Sequence, residues 1–161
     1  MSDRSPSSDT AGLKFPPPFV YLGGLIVGYL IWWFWPLQFV PQEWSLPIRL
    51  LGLLAVALGL WIMITARNLF VKTGTNVNPF EPSTVLVLDG PYRFTRNPMY
   101  LGMALVLGGL ALIGNALWPF LALAPVIAII RTQVIAKEEA YLEAKFATPY
   151  RDFKARVRRW I

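Results

Sequence analysis

The sequence contains no cysteine and no histidine among its 161 residues. The absence of cysteine excludes disulfides, thiolate metal sites and a cysteine nucleophile. The absence of histidine removes the most common general base and metal ligand of enzymes. Charged residues are also scarce, at 15% of the chain against about 25% in a typical soluble domain. These absences argue against an ordinary soluble domain and against most metalloenzyme and catalytic-triad chemistries.

The abundant residues are apolar, and they form three long stretches without charge. These stretches run from Phe19 to Val40, from Leu50 to Ala66 and from Asn97 to Ile130. A helix needs about 20 apolar residues to cross the bilayer core, so the first stretch is long enough and the second nearly so. The third is too long for one span, and the turn-forming pair Gly114-Asn115 followed by Pro119 divides it into a helical hairpin.

The sequence therefore predicts an all-α integral membrane bundle of about four transmembrane helices. Each arm of the hairpin would hold about 16 residues, or roughly 24 Å of helix, which is short for a bilayer. We therefore expect tilting of these arms or extension of the second arm beyond Arg131. The alternative of a buried hairpin in a soluble core lacks a polar segment large enough to cover it.

The positive charges predict the orientation of the chain. With four spans, 14 of the 15 Lys and Arg residues lie on the side of the termini and the long middle connector, and only Arg49 lies opposite. The positive-inside rule places both termini in the cytoplasm. Trp residues near the opposite ends of the spans suit an aromatic belt: Trp32, Trp33, Trp35, Trp44 and Trp118. The basic charge suits anionic lipid headgroups, and no nucleic-acid partner is predicted.

The flanks of the bundle differ in composition from the spans. Residues 1–18 are rich in Ser and Pro and are predicted to form a flexible tail. Residues from Tyr150 to Trp160 are predicted to form a basic amphipathic helix on the cytoplasmic membrane surface. The whole chain, residues 1–161, is predicted to form a single domain.

A first polar segment, residues 90–102, leads into the third predicted span. Pro98 suits the first turn of a helix, where free N–H groups and the helix dipole favour an anionic ligand. Arg96 adds a planar donor fork that fits a carboxylate. Tyr92 and Tyr100 offer aromatic faces to an adenine ring or a sulfonium. An interfacial anchor of arginines and tyrosines is the alternative interpretation.

A second polar segment, residues 135–146, carries the acidic pair Glu138 and Glu139. Glu139 lies in an apolar stripe of helical spacing, and Glu138 lies at its edge. Neither has a Lys or Arg three or four residues away to pair with on the helix surface. Carboxylates on a buried face without such partners need a distant cation or a ligand. A solvated helix face is the alternative.

These segments together resemble the isoprenylcysteine carboxyl methyltransferase and phospholipid methyltransferase superfamily. The matching residues are Gly90-Pro91-Tyr92, then Arg96-Asn97-Pro98-Met99-Tyr100-Leu101-Gly102, then Glu138-Glu139-x-x-Leu142-x-x-x-Phe146 with Tyr150, Val157 and Arg159. The resemblance covers residues 86–161. It implies an integral membrane enzyme that uses S-adenosylmethionine at the cytoplasmic face and methylates a lipophilic acceptor or lipid-modified substrate, with no metal.

The resemblance also implies which residues form the cofactor site. Those at matching positions are Pro91, Tyr92, Arg96, Asn97, Pro98, Tyr100, Glu138 and Glu139. Arg96 and Glu139 are the predicted catalytic residues. The chain departs from the family pattern at three positions. Asn97 stands where His is frequent, Ala147 replaces the usual Gly, and Phe153 stands where Tyr is common.

The implied mechanism is direct displacement at the sulfonium methyl group. We expect Arg96 and the helix start to hold the cofactor carboxylate, and Glu138 or Glu139 to bind its amino or ribose groups. Because the site has few candidate bases and a carboxylate acceptor needs none, carboxyl O-methylation is favoured over phospholipid N-methylation. Two other functions stay open: an NADPH-dependent membrane reductase of the sterol-reductase group, and a non-enzymatic scaffold. The chain has no Gly-rich dinucleotide turn after a strand to favour the reductase.

Overall fold

The structure, a computed structural model, describes residues 9–161, and within that range all regular secondary structure is helical. The α-helices are α1 (Pro17–Phe34), α2 (Ser45–Thr73), α3 (Pro98–Ile113), α4 (Leu117–Leu121), α5 (Leu123–Ile129) and α6 (Ala136–Arg156). A π-helical segment, Ile130–Ile135, joins α5 to α6, and short 3-10 turns occupy Gln42–Trp44 and Gly90–Arg93. The predicted all-helical class is confirmed.

Three helical runs of the described chain are long and apolar enough to cross a membrane: Pro17–Phe34, Gln42–Thr73 and Leu117–Arg156. The remaining apolar helix, α3, has 16 residues, or roughly 24 Å at 1.5 Å per residue. The helices thus form a membrane bundle with one short member. The second hairpin arm continues through Arg131 into α6, as predicted for an arm that is too short by itself.

The hairpin turns at the predicted pair. Asn115 adopts a positive φ of 49°, a conformation that Asn tolerates better than most residues. Its Oδ1 accepts hydrogen bonds from the backbone N–H groups of Phe39 and Val40 at 3.1 and 3.3 Å, and its Nδ2 donates to the Val40 carbonyl at 2.8 Å. The side chain therefore ties the turn to the loop between α1 and α2.

Glycines bring α2 and α3 into close contact. A Cβ added at Gly52 would lie 2.6 Å from the carbonyl oxygen of Gly109, and one added at Gly59 would lie 2.6 Å from the carbonyl oxygen of Gly102. Only backbones without Cβ atoms approach this closely. The contact fixes the start of α3 against the C-terminal half of α2.

The predicted flexible tail over residues 1–18 needs correction where the structure describes it. Residues 1–8 lie outside the described chain, but the residues after them pack on the bundle. Leu13 is buried beside Tyr21 and Tyr100 in one core cluster, and Lys145 donates to the Asp9 carboxylate at 2.6 Å. The apolar side chain of Leu13 packs against the helices. The Ser- and Pro-rich composition of the segment gave no indication of this packing.

The predicted amphipathic helix at the C-terminus is also only partly right. Ala147 interrupts α6 with φ 47° and ψ −118°, and the helix then ends at Arg156 rather than continuing to Trp160. The apolar face of its last turns is not left for the membrane surface. Tyr150 and Phe153 are buried in a core cluster formed with residues of α2 and of the connector between α2 and α3.

Candidate active site

A cavity of about 130 Å³ lies where the connector, the first turn of α3 and α6 meet. Its volume is roughly ten times the space that one water molecule requires. The wall includes residues from both polar segments singled out by the sequence: Tyr92, Arg96, Asn97, Pro98, Tyr100, Glu138 and Glu139. Segments on either side of the helical hairpin thus line one cavity.

Glu139 is the buried centre of an ion-pair cluster. Its Oε1 accepts from Arg159 Nε at 3.0 Å, and its Oε2 accepts from Arg159 Nη2 at 2.5 Å. Arg96 Nη2 lies 3.2 Å from Oε1. A carboxylate that accepts a bidentate pair of bonds from one arginine and borders a second has both oxygens engaged. The sequence analysis expected a distant cation for this carboxylate, and the structure provides two, Arg96 and Arg159.

Arg96 has unused hydrogen-bonding capacity inside the cavity wall. Its side chain is 9% exposed, and its Nε and Nη1 are buried without a hydrogen-bond partner among residues 9–161. Buried donors of a charged group cost free energy when they are left unpaired. Arg96 lines the cavity, and a carboxylate from a ligand would satisfy a charged donor of this kind.

Glu138 also has an open side. Tyr100 donates from its hydroxyl to Glu138 Oε1 at 2.7 Å, and within residues 9–161 this is the only hydrogen bond to that carboxylate. Tyr100 is itself held by α1, since the Tyr21 hydroxyl donates to the Tyr100 carbonyl at 2.9 Å. Glu138 Oε2 is thus available to a donor from a ligand.

Tyr92 and Pro98 line the cavity, and Pro91 does not. Burial, with a further contribution from Glu138, raises the pKa of the Tyr92 phenol, so that it stays neutral at physiological pH. Pro98 occupies the first turn of α3, as the sequence predicted. Pro91 instead shapes the preceding turn, where its carbonyl accepts from the N–H groups of Phe94 and Thr95.

The first polar segment, residues 90–102, is called the arginine motif below. Residues 157–161 run alongside it and are called the C-terminal strap. Arg96 N–H donates to the Arg158 carbonyl at 2.9 Å. The Asn97 side-chain amide and the Thr95 hydroxyl both donate to the Arg159 carbonyl, at 2.9 and 3.1 Å. Asn97, which replaces the frequent His, therefore uses its amide to hold the strap.

Sequence reasoning missed Arg159 and Tyr141 as members of the site. Arg159 was part of the family resemblance, but it lies several helical turns beyond its acidic partner and no local pattern joins them. Tyr141 also lines the cavity, and its hydroxyl accepts from Ser83 N–H at 3.0 Å and lies 3.2 Å from Asp9. It thereby ties the connector and the N-terminal segment to α6.

Comparison with known proteins identifies the family of the chain. The phospholipid methyltransferase family matches residues 48–149. An uncharacterized protein of Haemophilus influenzae is 44% identical over 64 residues, which are 39% of this chain and all of that protein. No solved structure matches. The family match covers more than half of the chain and includes both the arginine motif and the acidic pair, so the chain belongs to the phospholipid methyltransferase family, the membrane methyltransferases of the phospholipid and isoprenylcysteine type.

Proposed function

We propose that this methyltransferase uses S-adenosylmethionine to methylate a lipophilic acceptor at the cytoplasmic rim of the bilayer. The observation that carries the proposal is the Arg96 guanidinium in the cavity wall, which has two buried donors without a partner in the described part of the chain. The carboxylate of the donor's methionine part would accept a charge-assisted hydrogen bond from this guanidinium. The donor supplies an electrophilic methyl group on its sulfonium.

Within the acidic pair we assign contact with the donor to Glu138. Both oxygens of Glu139 are engaged by arginines, whereas Glu138 keeps one oxygen free of protein donors among the described residues. Glu138 would accept from the ammonium or ribose hydroxyls of the donor. Glu139, predicted from the sequence as a catalytic residue, would instead orient Arg96.

Neutral, buried aromatic rings complete the proposed donor site. Tyr92 is buried and packs at 5.7 Å, between ring centroids, against Phe70 of α2. Tyr100 lines the same cavity and donates its hydroxyl hydrogen bond to Glu138. These surfaces suit an adenine ring or a sulfonium, which aromatic faces attract.

Catalysis would depend on orientation and on the exclusion of water, because displacement at a methyl group requires little proton transfer when the acceptor is a carboxylate. We therefore propose carboxyl O-methylation of a lipophilic or lipid-modified acid. Phospholipid N-methylation is the second candidate, favoured by the family to which the chain belongs. In that case Glu138, through its open oxygen, would receive the ammonium proton.

We also propose that both termini and the cavity lie on the cytoplasmic side. The support is the charge distribution, with 14 of 15 Lys and Arg residues on that side of the bundle. The aqueous donor would then reach the site from the cytoplasm, and the acceptor from the bilayer.

Equilibrium binding to the purified, membrane-reconstituted protein tests the donor site. We expect the wild type to bind S-adenosylhomocysteine and not NADPH. Arg96→Ala removes a charge-assisted hydrogen bond to the donor's carboxylate and should weaken binding by about 10- to 100-fold. Arg93→Ala is the matched control, because Arg93 lies in the same motif but is exposed and pairs with Asp89.

Two outcomes would contradict the proposal. Binding of NADPH instead of S-adenosylhomocysteine would favour a reductase. Equal affinity of the wild type and Arg96→Ala for S-adenosylhomocysteine, with the fold intact, would remove Arg96 from the site.

A further inference from the structure

Arg159 contacts Glu139 of α6 through its side chain and the arginine motif through its main chain. Its guanidinium makes two hydrogen bonds to Glu139, at 3.0 and 2.5 Å, and its carbonyl accepts from Thr95 and Asn97. The Glu139 side chain is 8% exposed and that of Arg159 is 30% exposed, so the pair is largely shielded from water. The pairing raises the pKa of Arg159, which stays charged.

Arg96 and Arg159 share Glu139 unequally. Arg159 donates from Nε and Nη2 to the two carboxylate oxygens of Glu139. Arg96 contacts this carboxylate only through Nη2, which lies 3.2 Å from Oε1. Arg96 Nε and Nη1 meanwhile have no partner among the described residues. Without Arg159, the buried charge of Glu139 would have Arg96 as its one remaining cation among residues 9–161, and Arg96 would turn its free donors towards it.

We infer that Arg159 is a positioning residue of the donor site, and that the C-terminal strap is a working part of the enzyme. Arg159 neutralises Glu139 and thereby keeps Arg96 free for the carboxylate of S-adenosylmethionine. This inference rests on the proposed function and extends it beyond residue 149, where the family match ends. Arg159 itself does not touch the donor.

A purely structural role for Arg159 makes a different prediction. If the residue only fastened the chain end, its loss would loosen the whole cavity and weaken every ligand alike. If it acts through Arg96, only ligands that carry the donor's carboxylate should respond. S-adenosylhomocysteine carries that carboxylate, and 5′-methylthioadenosine has the same adenosine part without it.

The test is a double-mutant cycle read with these two probes on the full-length, membrane-reconstituted protein. We expect Arg159→Ala to weaken S-adenosylhomocysteine about tenfold and to change 5′-methylthioadenosine less than about twofold. Adding Glu139→Gln to Arg159→Ala removes the competing charge and should restore most of the lost affinity. Arg156→Ala, an exposed arginine on the last turn of α6, is the charge-matched control and should leave both affinities unchanged.

The outcomes separate this inference from the proposed function. An equal loss for both probes, or no rescue by Glu139→Gln, would overturn the positioning role. The same holds if Arg96→Ala weakens S-adenosylhomocysteine while Arg159→Ala has no effect. If the wild type binds no S-adenosylhomocysteine, the proposed function fails and the inference with it. Should Arg159→Ala unfold, Arg159→Lys keeps the charge without the bidentate fork and should show a smaller loss with the same probe selectivity.

Discussion

At the scale of single residues, Ala147 adopts a backbone conformation that favours glycine. Its φ of 47° and ψ of −118° lie outside the regions that residues with a Cβ populate readily. Such strain costs about 1–3 kcal/mol. Glycine is the usual residue at this position in the family that the sequence resembles, and the structure gives a physical reason for it. The sequence alone showed the substitution but not the turn that it strains.

We therefore expect Ala147→Gly to stabilise the protein by about 1 kcal/mol, after subtraction of the larger chain entropy of glycine. The measurement is the thermal unfolding midpoint in one detergent. Ala144→Gly, at an exposed helical position of α6, is the control and should destabilise by about 0.5–1 kcal/mol. A lower midpoint for Ala147→Gly than for the wild type would contradict the strain.

Glu138 is the second residue whose role is open to measurement. Glu138→Gln keeps the shape of the side chain but removes its charge, so we expect about tenfold weaker binding of S-adenosylhomocysteine. Tyr100→Phe removes only the hydroxyl that donates to Glu138 and should cost a few-fold. A larger loss for Tyr100→Phe than for Glu138→Gln would indicate that the tyrosine, not the carboxylate, meets the donor.

At the scale of elements, the contact between α2 and α3 sets the position of the arginine motif. Gly59→Ala would place a methyl group 2.6 Å from the Gly102 carbonyl, close to the start of the site at Tyr100. We expect a loss of about 1–3 kcal/mol in stability and weaker donor binding, because the helices must separate. Gly23→Ala on α1 meets nothing within 4 Å and is the matched control. Equal unfolding midpoints for the two variants would contradict the close contact.

Elements with local signals could be predicted, and those held by distant contacts could not. The hairpin followed from Gly114-Asn115, and the start of α3 followed from Pro98, because turn and cap chemistry is local. The C-terminal strap is held by hydrogen bonds to Thr95 and Asn97, far back along the chain. The packing of the segment at Leu13 likewise depends on distant helices. Neither the periodicity nor the composition of a segment predicts contacts with residues so distant in the chain.

At the scale of the whole molecule, the orientation in the membrane can be tested cleanly because the chain has no cysteine. Gln38→Cys lies in the exposed loop between α1 and α2, and Asp152→Cys lies on the exposed end of α6. We expect a membrane-impermeant maleimide to label Gln38→Cys in intact cells and Asp152→Cys only after permeabilisation. The reverse pattern would contradict cytoplasmic termini.

The sequence predicted the class of the molecule and the two segments that meet in its cavity, but not how charge is divided there. Arg96, Glu138 and Glu139, which line the cavity, could be singled out from the sequence because charged residues are rare beside apolar spans. That Glu139 pairs with two arginines while Glu138 keeps an open oxygen depends on side-chain geometry in the folded chain. The role of each residue in such a charge cluster depends on distances between side chains in the folded protein. The spacing of the residues along the sequence does not determine those distances.

Methyl transfer from radiolabelled S-adenosylmethionine is the most direct measurement of the central claim. The reconstituted protein, supplied with native membrane lipids, should move label into an organic-extractable product, and Arg96→Ala should lower kcat/KM by at least about tenfold while Arg93→Ala does not. Base-labile label would identify a carboxyl methyl ester, and base-stable label an N-methylated lipid. Transfer that is undiminished in folded Arg96→Ala would contradict the account.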